Sequence, residues 1–319
     1  MMHRRVLIAA MALLLMGASA PPEPFVYLLP APKEAIPFAP FLLAEAEGSY
    51  AREGLAVRFE QVAGGGFKVG EALGQGRGDA GGALGDTATI LRGRGVPVQG
   101  IALLGRHSFL TWMGVKELSI DGGALRGQSI GVPSKQDVTY YALKALLHQV
   151  GLTPEDVTVV VAAPDALVAA MARGEIRAMV GTVDWGVRAE RAGIALDYRP
   201  MDAYYPAMAQ AVMASDAAIA GRPRLLARFA QATLRALHGM ARHPDRAARR
   251  YAALVPRSGY SEAEVARIFT LMARHIYGKG AGPFDALTME RAAQAAVAEG
   301  LLPPGTAAEG SFTNRLVSR

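Results

Sequence analysis

A glycine-rich stretch, residues 61–104, constrains the fold of this chain more than any other feature. It reads QVAGGGFKVGEALGQGRGDAGGALGDTATILRGRGVPVQGIALL and contains two strand-to-helix turns in quick succession. The first turn, residues 64–66, is a triple glycine that follows an alternating strand pattern and precedes apolar residues at helical spacing. The second turn, residues 85–87, follows a short apolar run, and Asp86 is a fitting N-cap for the next helix.

Two successive helix starts of this kind predict a shared binding edge. In open α/β sheets, ligands bind beyond the carboxyl ends of the strands, where helix-start N–H groups can receive an anion or a carbonyl. The same glycines have an equally good structural explanation, because tight turns need residues that tolerate a positive φ. The turns alone leave both interpretations open.

Strand-like and helix-like segments alternate along most of the chain, which is typical of an α/β sheet flanked by helices. A first unit begins with the apolar run 25–29 and ends with the strand 98–104. A second unit begins after a break at residues 121–127, and beyond residue 213 the pattern is almost wholly helical. A helical portion with few strands cannot form a third α/β unit, so we expect it to pack on the first. The predicted architecture has two lobes joined by two crossovers.

The first twenty residues read as an export signal. His3, Arg4 and Arg5 form a short basic region, residues 6–16 are apolar but too few to span a bilayer, and residues 18–20 form a small-residue cleavage pattern. We therefore predict a signal peptide over residues 1–20, a periplasmic mature chain that begins near Pro21, and no later transmembrane segment. An uncleaved signal that serves as an anchor is the competing interpretation.

Cysteine and charge content exclude several classes of protein. The chain has no cysteine, so it has neither a disulfide framework nor a lipid-attachment cysteine. The formal charge of +6 falls to about +4 without the signal. Eight arginines lie between residues 222 and 250, opposed only by Asp245: Arg222, Arg224, Arg228, Arg235, Arg242, Arg246, Arg249 and Arg250. No interleaved aromatic set accompanies them, so we expect a solvated helix face rather than a nucleic-acid surface, with docking of an acidic partner as the alternative.

Six phrases of the sequence, taken in order, resemble one superfamily. They read GSYAREGLAVRF, GGGFKVGEALGQGRGDAGG, RGRGVPVQGIALL, LRGQSIGVPS, HQVGLTPEDVTVV and LVAAMARGEIRAMVG. They are similar to the solute-binding proteins that feed ABC importers of nitrate, sulfonate, taurine and thiamine-pyrimidine precursors. The likeness runs from about Phe25 to about Leu254.

The resemblance implies a two-lobed periplasmic binding protein of type II that captures its ligand by hinge closure. The crossovers would fall near Trp112 and Met213, so that lobe 1 comprises residues 21–112 and 214–319 and lobe 2 comprises residues 113–213. The implied partners are a small-molecule ligand and an ABC permease in the inner membrane. We expect a monomer that binds no nucleic acid, needs no cofactor and is not an enzyme.

Within the superfamily, the segments at 181–186, 197–199 and 204–206 resemble most the branch that binds pyrimidine precursors of thiamine. That branch usually has Asn-Trp-Glu where this chain has Asp184-Trp185-Gly186, and its first loop is rich in Asn and His, unlike residues 33–38 here. A carboxylate is a natural partner for an aminopyrimidine, so the missing glutamate leaves the ligand open. A sulfonate, taurine or nitrate receptor is the alternative.

By position in such a fold, the cleft is expected to be lined by the first loop, both glycine turns, the turn at 134–139 and the segment at 184–185. The candidate ligand-binding residues are Phe38, Gly64, Gly65, Gly66, Asp86, Thr87, Ser134, Asp137, Thr139, Asp184, Trp185 and Tyr205. Trp185 has two equal interpretations, stacking on a planar ligand or packing in the core. Asp184 and Ser134 can also be explained as helix caps.

Other kinds of chemistry find little support in the sequence. No histidine has a metal-ligand spacing, and there is no Ser/His/Asp arrangement or P-loop. Gly74 to Gly78 precedes a strand rather than a helix, the wrong context for a nucleotide motif. An enzyme similar to the thiamine-pyrimidine synthase of the same fold is a rival hypothesis, but that enzyme is associated with a cysteine-rich motif. A sensory role in place of import stays open.

Overall fold

The computed structural model describes residues 21–135, 138–206, 208–277 and 280–317. The predicted signal peptide and Asp137 therefore lie outside the described residues. The strands, in chain order, are β1 (Glu23–Leu29), β2 (Leu55–Gln61), β3 (Ala80–Leu84), β4 (Val98–Leu103), β5 (Thr111–Val115), β6 (Ser129–Val132), β7 (Thr158–Val161), β8 (Ala178–Gly181), β9 (Leu196–Pro200) and β10 (Gln210–Ser215).

The α-helices follow the predicted alternation. In chain order they are α1 (Ala39–Ala46), α2 (Ser49–Arg52), α3 (Gly65–Gly74), α4 (Thr87–Gly93), α5 (Gly122–Leu125), α6 (Val138–Gln149), α7 (Pro164–Ala172), α8 (Val183–Ala189), α9 (Asp216–Gly221), α10 (Pro223–Arg242), α11 (Pro244–Leu254), α12 (Glu262–Met272) and α13 (Ala286–Ala298). A π-helical turn, Ala273–Tyr277, continues α12. No helix in the described ranges is long and apolar enough to cross a bilayer.

The strands form two separate five-stranded sheets. The order in the first is β2-β1-β3-β10-β4, and in the second β7-β6-β8-β5-β9. β10 runs antiparallel to both of its neighbours in the first sheet, and β5 runs antiparallel to both of its neighbours in the second. The first sheet thus contains one strand, β10, that the chain contributes after it returns from the second sheet, and the second sheet consists of the consecutive strands β5 to β9. This arrangement confirms the prediction of two lobes.

The crossing points differ from the predicted positions by a few residues. Trp112 lies inside β5 of the second sheet, and Met213 lies inside β10 of the first. The chain therefore crosses before these residues, between β4 and β5 and again between β9 and β10. The sequence places both residues in apolar runs, and such runs do not reveal which sheet a strand joins.

The helical C-terminal portion packs on the first sheet, as predicted. Phe229 of α10 stacks on Phe25 of β1 with ring centroids 4.4 Å apart, and on Tyr50 of α2 with centroids 5.0 Å apart. These rings are fully or almost fully buried, so they contribute both apolar area and stacking geometry to the core of lobe 1.

Part of the arginine-rich segment forms ion pairs with lobe 1, although most of its arginines are exposed. Arg222 pairs with Asp79, Arg228 with Glu23, and Arg235 with Glu53. Three of the eight arginines are therefore opposed by carboxylates that come from the first part of the chain.

The C-terminal portion also contacts lobe 2. α12 packs beside α8, where Arg267 pairs with Glu190 at 2.6 Å and Arg191 pairs with Glu264. Farther along, Lys144 of α6 pairs with Glu299, just after α13, at 2.6 Å. The C-terminal portion thus holds lobe 2 at two of its helices.

Candidate ligand-binding site

A cavity of about 480 Å³ lies between the two lobes, within the usual size range of small-molecule sites. Lobe 1 contributes the loop after β1, the starts of α3 and α4, and the start of β10. Lobe 2 contributes the starts of α6, α7 and α8. The cavity therefore lies where helix starts from both sheets face each other.

Geometry accounts separately for each glycine of the first turn. Gly64 and Gly65 have φ values of +97° and +83°, a region that other residues rarely adopt. Gly66 has ordinary φ, but a Cβ there would lie 2.7 Å from the Cβ of Ala83 and 3.2 Å from its Cα. The triple glycine thus lets α3 begin directly against β3. All three glycines also line the cavity, so the structural and the binding interpretations coexist.

Asp86 is the one carboxylate among the described lining residues. It occupies the N-cap position of α4, as predicted, but its side chain makes no capping hydrogen bond. The residue is only 2% exposed, and its Oδ2 atom has no hydrogen-bond partner among the described residues. Burial raises the pKa of Asp86 to about 6, and its own backbone N–H and the nearby Tyr205 hydroxyl lower it only in part.

Tyr205 lies beside Asp86 but does not satisfy it. The Tyr205 hydroxyl is buried and, within the described part of the chain, has no hydrogen bond of good geometry, to Asp86 or to any other group. Burial, followed by the negative charges of Asp86 and Glu299, raises the pKa of Tyr205 far above its ordinary value. Tyr205 therefore stays neutral, and it is not among the residues that line the cavity.

Gln210 is a second buried polar residue on the lobe 1 wall. It begins β10 and pairs with Leu84 of β3, two residues before Asp86. Its side chain is 6% exposed, and its Oε1 atom has no hydrogen-bond partner among the described residues. Its backbone carbonyl accepts a hydrogen bond from the N–H of Leu104 at 2.8 Å, so the backbone is fixed in the sheet. Asp86 and Gln210 thus face the cavity from adjacent strand ends.

The rest of the lining is mainly apolar and aromatic. Phe38 and Phe67 come from lobe 1, Tyr141 and Trp185 come from lobe 2, and Phe109 comes from the first crossover. Trp185 is half-buried, and a Cβ on Gly181 would lie 2.1 Å from its ring, so the ring lies directly on the end of β8. Trp185 therefore packs against the end of β8 and also lines the cavity. Hydroxyl groups come from Thr87, Thr139 and Thr182.

Eight of the predicted site residues line the cavity: Phe38, Gly64, Gly65, Gly66, Asp86, Thr87, Thr139 and Trp185. Ser134, Asp184 and Tyr205 do not. Asp184 is 8% exposed and is the second residue of α8, whose N-cap is Thr182. It accepts hydrogen bonds from the hydroxyls of Thr182 and Tyr260, the latter at 3.2 Å. Its predicted capping role is therefore wrong, and burial raises its pKa.

Sequence reasoning missed several lining residues, notably Phe67, Phe109, Tyr141, Thr182 and Gln210. Tyr141 lies at helical spacing among apolar residues, a pattern that does not distinguish a packed side chain from a lining one, and Phe109 lies in a run without period. Gln210 could have been predicted as a site residue from the sequence, because it is the one polar residue in an otherwise apolar run from 207 to 213. A polar side chain in a buried strand needs a partner, and here no described protein group supplies one to its Oε1 atom.

No lysine, arginine or histidine is among the described lining residues. At neutral pH the described lining side chains therefore carry a net negative charge, from Asp86. Across the described ranges there is also no group of three or more His, Cys, Asp or Glu side chains that could hold a metal ion.

The family model described as NMT1/THI5 like matches residues 35–247. The riboflavin-binding protein RibY of Chloroflexus aurantiacus is 29% identical over 217 residues, which cover 66% of this chain and 61% of RibY. The chain thus matches a little over three fifths of the length of that relative.

Solved structures resemble the chain over almost its whole length. The alkanesulfonate-binding protein SsuA of Xanthomonas axonopodis pv. citri, bound to MOPS, has a TM-score of 0.68 at 18% identity, covering 92% of this chain and 99% of that one. The aliphatic sulphonate-binding protein SsuA of Escherichia coli has a TM-score of 0.67 at 14% identity, with 93% and 92% covered. The desulfurization enzyme DSZB has a TM-score of 0.62 at 17% identity, with 92% and 97% covered.

At these identities the structural matches establish the fold, and the family model covers well over half of the chain. The prediction of a two-lobed α/β fold of the periplasmic binding type is confirmed. The chain belongs to the NMT1/THI5-like family.

Proposed function

We propose that this protein is the solute-binding component of an ABC importer and that it captures a planar nitrogen heterocycle between its lobes. One observation carries the proposal. The interlobe cavity is lined by aromatic and apolar side chains from both lobes, with a buried carboxylate and, among the described residues, no basic side chain. Aromatic walls suit a flat ring, since offset stacking adds to the area that is buried.

The charge of the cavity supports one of the two ligand classes that the sequence left open. A sulfonate or nitrate ion would approach the Asp86 carboxylate without a neighbouring lysine or arginine among the described lining residues. Like charges in a buried site repel strongly. A neutral or cationic heterocycle meets no such barrier. RibY is named for a planar heterocycle, and the thiamine-pyrimidine branch also binds a planar ring, so both resemblances support this class.

A binding role fits the cavity better than a catalytic one. DSZB shows that an enzyme can have this fold, so the fold alone does not decide. The described lining residues include no histidine, lysine or cysteine that could act as nucleophile or base. We therefore propose a periplasmic receptor that delivers its ligand to a permease in the inner membrane and acts as a monomer.

Purification without refolding, followed by native mass spectrometry, tests the proposal directly. We expect a co-purified small molecule with the ultraviolet absorbance of a heteroaromatic ring. Titration calorimetry and small-angle scattering with a panel of pyrimidines, flavins and alkanesulfonates complete the test. Binding of the ring compounds with compaction supports the proposal, whereas binding of sulfonates alone would contradict it.

A further inference from the structure

We propose that Asp86 and Gln210 form a recognition pair for the hydrogen-bonding edge of the ligand, and that the ligand must present an N–H group to Asp86. This inference rests on the proposed function and narrows its ligand class. It selects heterocycles that carry a ring N–H or an exocyclic amino group, and it rejects analogues in which that hydrogen is replaced.

The pair is positioned by the sheet rather than by a flexible loop. Asp86 follows β3 after one intervening residue, and Gln210 begins β10, which is paired with β3 from Leu84 to Gly81. Both side chains therefore emerge at the same sheet edge, and both line the cavity. Groups held on adjacent strands lose little freedom when a ligand binds, which favours selective recognition.

Both residues have an unmet hydrogen-bonding capacity in the protein. Asp86 is 2% exposed and Gln210 is 6% exposed, yet Asp86 Oδ2 and Gln210 Oε1 have no partner in the described part of the chain. Buried polar atoms are almost always paired, because an unpaired one costs about 1–3 kcal/mol. Of the buried atoms without a described partner, these two belong to residues that line the cavity, so both acceptors are available to a ligand.

The chemistry of the two side chains determines which hydrogen-bonding groups of the ligand they can bind. An ionised carboxylate only accepts hydrogen bonds, so the group facing Asp86 must be a donor. The amide of Gln210 can turn to present either its oxygen or its nitrogen, so it pairs with a donor or with a carbonyl beside that N–H. An imide or amide edge of a flat ring, and an amino-substituted ring, both fit this pattern.

Matched probes that differ in one N–H group test the inference. Riboflavin and 3-methylriboflavin form one pair, and 4-amino-2-methylpyrimidine and its dimethylamino analogue form a second. Calorimetry at pH 7.5 on the full mature chain should show that the N–H member of at least one pair binds about 10- to 100-fold more tightly. Asp86→Asn replaces the charged acceptor by a neutral amide that accepts more weakly, so it should reduce that preference. Gln210→Leu should weaken binding about 10-fold or more.

Asp245→Asn is the matched control, since Asp245 is exposed in the first turn of α11, and it should bind like the wild type. Circular dichroism confirms that each variant is folded. Equal affinity for both members of every pair that binds would overturn the inference while leaving the receptor role intact. An unchanged preference in a folded Asp86→Asn variant would also overturn it. If none of the four probes binds, the inference and the proposed heterocycle ligand both fail.

Discussion

The Tyr260 hydroxyl donates a hydrogen bond of 3.2 Å to the Asp184 carboxylate, and so ties the segment before α12 to the start of α8 in lobe 2. Asp184 is the neighbour of Trp185, which borders the cavity. The bond therefore joins the C-terminal portion to the lobe 2 wall of the candidate site.

We predict that Tyr260→Phe destabilises the protein by about 1–3 kcal/mol, because the buried Asp184 carboxylate would lose one of its two side-chain donors. Urea unfolding followed by circular dichroism measures the change. Tyr27→Phe is the matched control, since the Tyr27 hydroxyl is buried without a hydrogen-bond partner among the described residues. Its removal should leave stability unchanged or slightly higher. Equal effects of the two substitutions would show that the Tyr260 bond contributes nothing.

We predict that Asp86 makes the ligand-free protein less stable as the pH rises. Its folded pKa of about 6 lies above the unfolded value of 3.8, so between these values the native state binds more protons than the unfolded state. Stability should fall across that window, by about 3 kcal/mol at most. The titratable group that faces Asp86 is Tyr205, which stays neutral across this pH range. The titratable groups near Tyr205 are Tyr141 and the ion pair between Lys144 and Glu299. Thermal unfolding from pH 4 to 7.5 measures the slope.

It follows that Asp86→Asn should stabilise the empty protein at pH 7.5 while weakening ligand binding. Opposite signs for stability and affinity are expected of a residue that is kept for function. The exposed substitution Asp245→Asn should change neither quantity. Loss of stability in Asp86→Asn at pH 7.5 would show that Asp86 supports the fold instead.

Glu264 should give the opposite dependence on pH. The pKa of Glu264 is lowered to about 2, first by the guanidinium of Arg191 and then by the Ser261 backbone and hydroxyl donors at the start of α12. A lowered pKa contributes stability above the unfolded value of 4.5, and that contribution is lost as the pH falls toward 2. Glu264→Gln should therefore flatten the loss of thermal stability between pH 5 and 2. A variant with the same acid sensitivity as the wild type would contradict this assignment.

Two glycine substitutions should have opposite effects on the free energy of unfolding. Gly66→Ala places a Cβ 2.7 Å from that of Ala83, so it should destabilise the protein by about 1–3 kcal/mol and displace the start of α3. Gly239→Ala lies within α10 with nothing near the added Cβ, so it should stabilise by up to about 1 kcal/mol. Chemical denaturation compares the two. A neutral Gly66→Ala would mean that α3 does not need close contact with β3.

Local patterns predicted the fold and eight of the residues that line the candidate site. Strand alternation and helical spacing are properties of neighbouring residues. The glycines at residues 64–66 and 85 predicted the turns that precede α3 and α4. Gln210 and the Asp184–Tyr260 bond depend on partners far away in sequence. Gln210 reaches the cavity only because β10 inserts beside β3, and Asp184 is held by a residue 76 positions later. No local period encodes such pairings.

The position of β10 between β3 and β4 affects the order in which the two sheets can be completed. Lobe 2 is one continuous segment, so its sheet can assemble as soon as β9 has been synthesised. The sheet of lobe 1 lacks a central strand until residue 215 has emerged, and its aromatic stack is incomplete until Phe229 follows. Contacts between distant segments form slowly. The sheet at the start of the chain is therefore complete only after the chain has passed through the lobe in its middle.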